Sequence, residues 1–244
     1  GLPLLPHRLQ GVVMVSFGSY MVRQMLGLEQ AGLYMMAIML VTPLSMIVTT
    51  IQRAWVPLKF QIHTEEDDPA AIFRSIVTYY MVGVSYLLVG IAVWSPEVLR
   101  VMTEASFHDA SSLIPIVALI PAASGVYWMV GTGFEMSDST KPLPFVSFFG
   151  LATLVALAFL LVPTTGAHGA GIATMGGWLV MAVAIYHFAQ QRFPVSYDWF
   201  VLISLGACAF VAVAGSVWMQ TAPLGWRLTF AIATSGPRCQ PFTR

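Results

Sequence analysis

Charge is what this sequence has least of. Eleven Lys or Arg and eleven Asp or Glu make up 9% of the 244 residues, and 57% of the chain is hydrophobic. Soluble domains carry about 25% charged residues. A water-soluble fold of this size has too little polar surface to cover so much apolar material, whereas a bilayer core is itself an apolar solvent. The charges cancel to a net of zero, so the basic footprint of a nucleic-acid-binding protein is missing. Two cysteines, Cys208 and Cys239, are too few and too isolated for a disulfide framework or a metal site. Cys208 lies in an apolar run and reads as a small hydrophobe. Catalytic signatures are missing as well: there is no Gly-x-Ser-x-Gly elbow, no phosphate-binding Gly-rich loop with its Lys and no His-Glu-x-x-His pair. His7, His168 and His187 are scattered without ligand spacing. No enzyme activity, cofactor or metal is therefore expected. The alternation that a transmembrane barrel needs is also absent, which leaves helices as the spanning element.

Long apolar runs are what the chain does have. A helix needs roughly 20 apolar residues to cross about 30 Å of hydrocarbon, and charge-free runs occur at 30–52, 75–96, 110–134, 142–191 and 199–226. The 142–191 run is divided by Pro163-Thr164-Thr165-Gly166-Ala167-His168-Gly169, a Pro/Gly-rich turn. A weaker run containing Arg8 and Arg23 precedes them all. The predicted fold is all-α and membrane-integral. Seven spans, at about 5–26, 32–53, 73–95, 111–135, 142–162, 169–190 and 197–219, form one helical bundle over 1–220. The opening, Gly1-Leu2-Pro3-Leu4-Leu5-Pro6, reads as the middle of a longer protein, and 235–244 abandons the apolar composition. Residues 221–244 are accordingly expected to be a truncated or non-native tail.

The loops give an orientation. Arg8, Arg53, Lys59, Arg74, Lys141 and Arg192 fall on one side, and Arg23, Arg100 and Arg227 on the other. The positive-inside rule then puts the first side in the cytoplasm, and the acidic run Glu65-Glu66-Asp67-Asp68 counts for little in it. The longest loop is expected at about 54–72, solvated, with Pro69 opening the next helix. Trp55, Trp94, Trp199 and Trp226 lie near span ends, where interfacial anchors are found.

In a membrane helix the informative stripe is the polar one. Span 1 carries Ser16, Ser19, Tyr20 and Arg23, with Gln30 beyond its end; span 2 carries Thr42, Ser45, Thr49 and Gln52, with Arg53 alongside; span 4 carries Ser124, Tyr127, Trp128, Gly131 and Glu135. Spacings of three and four put each set on one face, and three such faces could enclose a hydrophilic path. The plainer reading stands beside this one, since small and hydroxyl residues also make ordinary helix–helix contacts in lipid. Arg23 is a costlier residue to hold within a span, although its nearness to Gly27 would let it snorkel to the interface. Glu135, at a span end, reads as interfacial.

The segment Gly27-Leu28-Glu29-Gln30-Ala31-Gly32-Leu33-Tyr34-Met35-Met36-Ala37, followed by Gln52-Arg53-Ala54-Trp55-Val56-Pro57, resembles the seventh and eighth helices of bacterial polysaccharide flippases. Those are the O-antigen/lipopolysaccharide-type members of the multidrug/oligosaccharidyl-lipid/polysaccharide exporter superfamily. Lys141, and Pro163–Gly166 followed by Gly169-Ala170-Gly171-Ile172-Ala173-Thr174, resemble features around that family's eleventh helix and the turn after it. The resemblance covers about 1–195. It implies the second bundle, plus one helix, of a two-bundle fold with a cationic cavity and alternating access. The partners it implies are a polyprenyl-pyrophosphate-linked oligosaccharide, membrane lipid and a preceding helical bundle of the same protein. The location it implies is the bacterial cytoplasmic (inner) membrane, in multi-pass form. Flipping would serve assembly of lipopolysaccharide, capsule or exopolysaccharide. On this reading Arg23 and Arg53 meet the anionic head group, and Ser16, Ser19, Tyr20, Thr49 and Gln52 line the path. One feature departs from the family: where it often has Asp-Arg in the seventh helix, Gly18-Ser19 stand here, with Arg23 one turn on. The rival expectations are a multidrug or cation antiporter of the same superfamily, and a membrane enzyme of glycan assembly such as a ligase or polymerase.

Overall fold

Apolar residues recur with helical spacing along most of the chain. The computed structural model, which describes residues 5–66, 68–135, 142–191 and 194–221, is helical nearly throughout, with no strand among the described residues. The helices are α1 (Leu5–Glu65), α2 (Pro69–Met102), α3 (Ile114–Val130), α4 (Thr132–Glu135), α5 (Leu143–Thr165), α6 (Ala167–Gln190) and α7 (Trp199–Thr221), with a 3-10 helix at Ala105–Ser112. Four are long and apolar enough to cross a membrane: Gln10–Glu65 within α1, then α2, α5 and α6. The number is five if the 3-10 helix and α3, bent by 51° at their junction, form one broken span. These are the helices of a multi-pass membrane protein.

α1 is not one rod. Gly27 has φ 89° and ψ −178°, a conformation open essentially to glycine alone, inside the stretch Leu5–Glu65. A methyl group placed on Gly18 would lie 3.0 Å from the Thr174 hydroxyl and 3.3 Å from that of Tyr34. An unbroken helix would hold Gly18 and Tyr34 about 24 Å apart, so the chain must fold back at Gly27. Other contacts fix the directions. The first arm runs antiparallel to α6, because Gly11 approaches Trp178 while Gly18 approaches Thr174. The second arm runs parallel to α3, with Val48 beside Gly125 and Trp55 bonded to Thr132. α3 and α6 run parallel, since Gly171 meets Ile116 and Gly131 meets Ile185. The two arms of α1 are therefore antiparallel.

This pattern gives the bundle two ends. At one end the rings of Trp55 and Phe73 meet edge to face at 5.6 Å, and Arg74 Nε lies 3.8 Å from Asp198 Oδ2. Arg53, Lys59 and Arg74 share this end. At the other end His168 Nε2 is 3.1 Å from Ser112 Oγ, and the turn at Gly27 lies there too. Lys141, Arg192, Arg227, Trp226, Cys239 and the tail from 222 onward lie outside the described residues.

Two sequence expectations need correction. The stretch 54–72 is not a long loop: α1 continues to Glu65, and Pro69 already opens α2, with the Asp68 carboxylate accepting from Ala71 N at 3.1 Å. The helix persists because Trp55, Lys59 and Ile62, three and four residues apart, are all buried. Trp55 is thus no interfacial anchor; it is 5% exposed and donates from Nε1 to Thr132 Oγ1 at 2.8 Å. Trp94, at 65% exposure, is free to take that role.

Packing follows small residues. The buried side of α5 is a ridge at four-residue spacing, Val146, Gly150, Leu154, Ala158 and Val162, with Ser147 beside it. Against it, α6 presents Gly169, Ala173 and Gly177, and a methyl on Gly177 would stand 2.9 Å from the Gly150 carbonyl oxygen. Without a hydrophobic drive between helices in lipid, such close backbone approach is what holds them together. α3 sits in the middle, buried on nearly every side by α1, α2 and α6.

Candidate functional site

The core-facing side of α1 follows the same ridge logic. In the first arm Gln10, Met14, Gly18 and Val22 are buried; in the second, Tyr34, Ala37, Val41, Leu44, Val48 and Trp55 are. The polar residues fall outside these ridges. Ser16, Tyr20, Arg23, Thr42, Thr49 and Arg53 are exposed, and Ser19, Ser45 and Gln52 are half-buried. Five of the seven predicted site residues are therefore exposed, and the other two, Ser19 and Gln52, lie at the margin of the packed side.

The hydroxyls of Ser19, Thr42, Ser45, Thr49 and Thr50 are internally satisfied. Ser19 donates to the Val15 carbonyl at 3.3 Å, Thr42 to Ile38 at 3.0 Å and Ser45 to Val41 at 3.4 Å. Thr49 donates to Ser45 at 2.9 Å and Thr50 to Met46 at 2.7 Å. Such bonds back to the preceding turn remove the donor cost of a hydroxyl in an apolar setting and leave oxygen lone pairs for an incoming donor. The guanidiniums have no such internal outlet, being donors only. No ion pair to Arg23 or Arg53 is present among the described residues.

The reversal at Gly27 separates the two arginines. Arg23 lies four residues before the turn and Arg53 twenty-six after it. At 1.5 Å per residue that places them roughly 30 Å apart along the bundle. At that separation the two guanidiniums cannot clamp one pyrophosphate together, so any head group that both meet is met by each at its own end of the bundle.

The third polar stripe behaves differently. Tyr127 is 2% exposed, with its ring 5.7 Å from that of Trp178 and 5.3 Å from that of Trp128. Ser124 is half-buried, bonded to the Pro121 carbonyl at 2.8 Å, and Gly131 is buried against Ile185. Tyr127 and Gly131 belong to the interior, because α3 is packed on nearly every side, while Ser124 and Trp128 are partly buried. Sequence reasoning also passed over Gln10, which is 2% exposed and hydrogen-bonded to Tyr127. Its spacing of four from Met14 and eight from Gly18 was the available signal.

Neither of two apolar crevices takes in a predicted site residue. One, of about 360 Å³, lies between the second arm of α1, α2 and α3, beside Leu40, Tyr86, Gly90 and Trp94. The other, of about 230 Å³, is bounded by α2, α3, α6 and α7, with Met81, Ala123, Met175 and Gly206 on its walls. The exposed polar residues of α1 stand on an open surface, among exposed Val and Met side chains, and not in a closed pocket. No family profile, curated protein or solved structure matches this chain.

Proposed function

We propose that this chain is one bundle of a two-bundle membrane transporter that flips lipid-linked oligosaccharide across the bacterial inner membrane by alternating access. The observation that carries this reading is that Ser16, Tyr20, Arg23, Thr42, Thr49 and Arg53 all reach the outer surface of α1, at spacings built from three and four residues. An Arg-bearing stripe facing hydrocarbon is costly, and a second bundle laid against it would turn that face into a polar path. The reversal at Gly27 makes α1 two crossings. Counting α2, the bent 3-10/α3 pair, α5, α6 and α7 as one crossing each, the reading has seven spans, in the orientation drawn from the charged loops.

The chemistry of the face suits this cargo. Guanidiniums bind phosphate by charge-assisted, often bidentate, hydrogen bonds, and a ladder of hydroxyl oxygens accepts from sugar hydroxyls. The antiporter alternative is less favoured, because coupling to Na⁺ or H⁺ calls for carboxylates deep in the spans, and every Asp and Glu here lies at or beyond a span end or in a loop. The enzyme alternative is less favoured too, because the stretch 54–72, the best place for an extramembrane catalytic loop, is mostly helix.

Complementation tests the proposal. The full-length gene carrying this segment, expressed in a bacterium without its own polysaccharide flippase, should restore surface glycan. Normal insertion with no display, across several glycan types, would move the weight to the antiporter.

A further inference from the structure

Arg23 and Arg53 carry the same escort. Ser19 and Tyr20 precede Arg23 by four and three residues, and Thr49 and Thr50 precede Arg53 by four and three. Residues at those spacings are neighbours on a helix surface, so each guanidinium stands beside two hydroxyls of its own arm. Ser19 is half-buried and the other five side chains are exposed. The hydroxyls of Ser19, Thr49 and Thr50 donate inward, which leaves each site with a cationic donor flanked by acceptor oxygens. That pairing matches a phosphate ester next to a sugar: the oxyanion takes the guanidinium, and a sugar O–H donates to the neighbouring hydroxyl oxygen. Arg74, by contrast, already has Asp198 beside it.

We propose that Arg23 and Arg53 form two separate phosphate stations, one on each arm of α1, toward opposite ends of the bundle. Arg53 loads the phosphate head of a glycosyl lipid at the end that also holds Lys59 and Arg74, and Arg23 receives it at the end holding the Gly27 turn. The two are too far apart to act as one clamp, and each pairs a guanidinium with two hydroxyl-bearing neighbours. This inference rests on the flippase reading for the identity of the cargo, but not for the existence of the stations. A phosphate can come from such a cargo or from an anionic bilayer headgroup, and the test separates the two.

The full-length protein is prepared with Cys208→Ser and Cys239→Ser, then with Gln24→Cys beside Arg23 or Val56→Cys beside Arg53. In phosphatidylcholine vesicles, inorganic pyrophosphate is added to one face and labelling by an impermeant maleimide is followed. Pyrophosphate on the cytoplasmic face is expected to protect position 56 only, and on the opposite face position 24 only. Arg53→Gln should weaken protection at 56 by about tenfold or more, the scale of one charged hydrogen bond, and leave that at 24 unchanged; Arg23→Gln should do the reverse. Should a glutamine variant fail to insert, the lysine variants serve, keeping the charge but losing the bidentate fork. Loss of protection at both positions from either single variant would mean one joint site and overturn the proposal. No protection in phosphatidylcholine, with slow labelling only when phosphatidylglycerol is added, would mean that the arginines hold bilayer headgroups and overturn it too. Face-specific protection together with failed glycan complementation would keep the stations and sink the flippase reading instead.

Discussion

Two glycines five residues apart should respond to the same substitution with opposite sign. A methyl group on Gly27 or on Gly32 would meet nothing within 4 Å, so neither Gly27→Ala nor Gly32→Ala creates a clash, and only the backbone decides. Gly27 sits at φ 89° and ψ −178°, where a residue with a Cβ is strained by about 1–3 kcal/mol. Gly32 lies within the regular second arm, where alanine is better than glycine by roughly 0.5–1 kcal/mol. For a chain of this size each kcal/mol moves Tm by about 2–4 °C. Gly27→Ala should therefore lower the midpoint by roughly 2–12 °C, and Gly32→Ala should raise it by roughly 1–4 °C. Heating the detergent-solubilised protein and following the folded monomer by size exclusion reads both. A neutral or stabilising Gly27→Ala would refute the reversal, and with it the antiparallel arms on which the site geometry depends.

Other contacts give sharper contrasts between neighbours. Gly177→Ala sets a methyl 2.9 Å from the Gly150 carbonyl, which cannot yield, while Gly176→Ala meets the Leu157 Cδ1 at 2.7 Å, which can turn aside; the first should lose about 1–3 kcal/mol and the second clearly less in the same melting assay. Trp55→Phe keeps an aromatic ring against Phe73 but removes the bond to Thr132, so a double-mutant cycle with Thr132→Val should return a coupling of about 1 kcal/mol. Gln190 donates to the Val195 carbonyl at 2.6 Å and accepts from Val195 N at 3.1 Å; Gln190→Ala should speed amide exchange at Val195 and expose the 194–198 segment to protease. Arg23→Gln and Arg53→Gln should each reduce glycan display in the complemented strain, with membrane insertion unchanged by immunoblot.

The helices were legible because an apolar run of about 20 residues bounded by Pro, Gly or charge has few other readings. The break at Gly166 and the Pro69 start are read directly from residues whose backbone chemistry is local, although the turn is shorter than expected: α5 runs through Pro163 to Thr165 and α6 begins at Ala167. The 54–72 stretch was misread because its charges suggested solvent, while Trp55, Lys59 and Ile62 are buried only in the folded bundle, Trp55 against Phe73 of α2 and Thr132 of α4. The α3 stripe was misread for a related reason. Tyr127 and Gly131 have the spacing of a wet face, and only the packing of α3 in the middle of the bundle shows that this face meets protein. The polar residues of α1 could be assigned to one face from spacing alone. That Arg23 and Arg53 stand at opposite ends followed from the span boundaries, yet its consequence for a shared head group became plain only with the reversal at Gly27 described.

The claim that matters most is that the outward face of α1 meets water and not lipid. Single cysteines at Ser16, Thr42 and Thr49, in protein lacking Cys208 and Cys239, should react with a water-soluble maleimide in native membranes. Cysteines at Phe148 and Phe159, exposed on the apolar side of α5, should not. If the α1 positions are as unreactive as those of α5, the polar face lies against hydrocarbon or sealed protein, and no path runs along it.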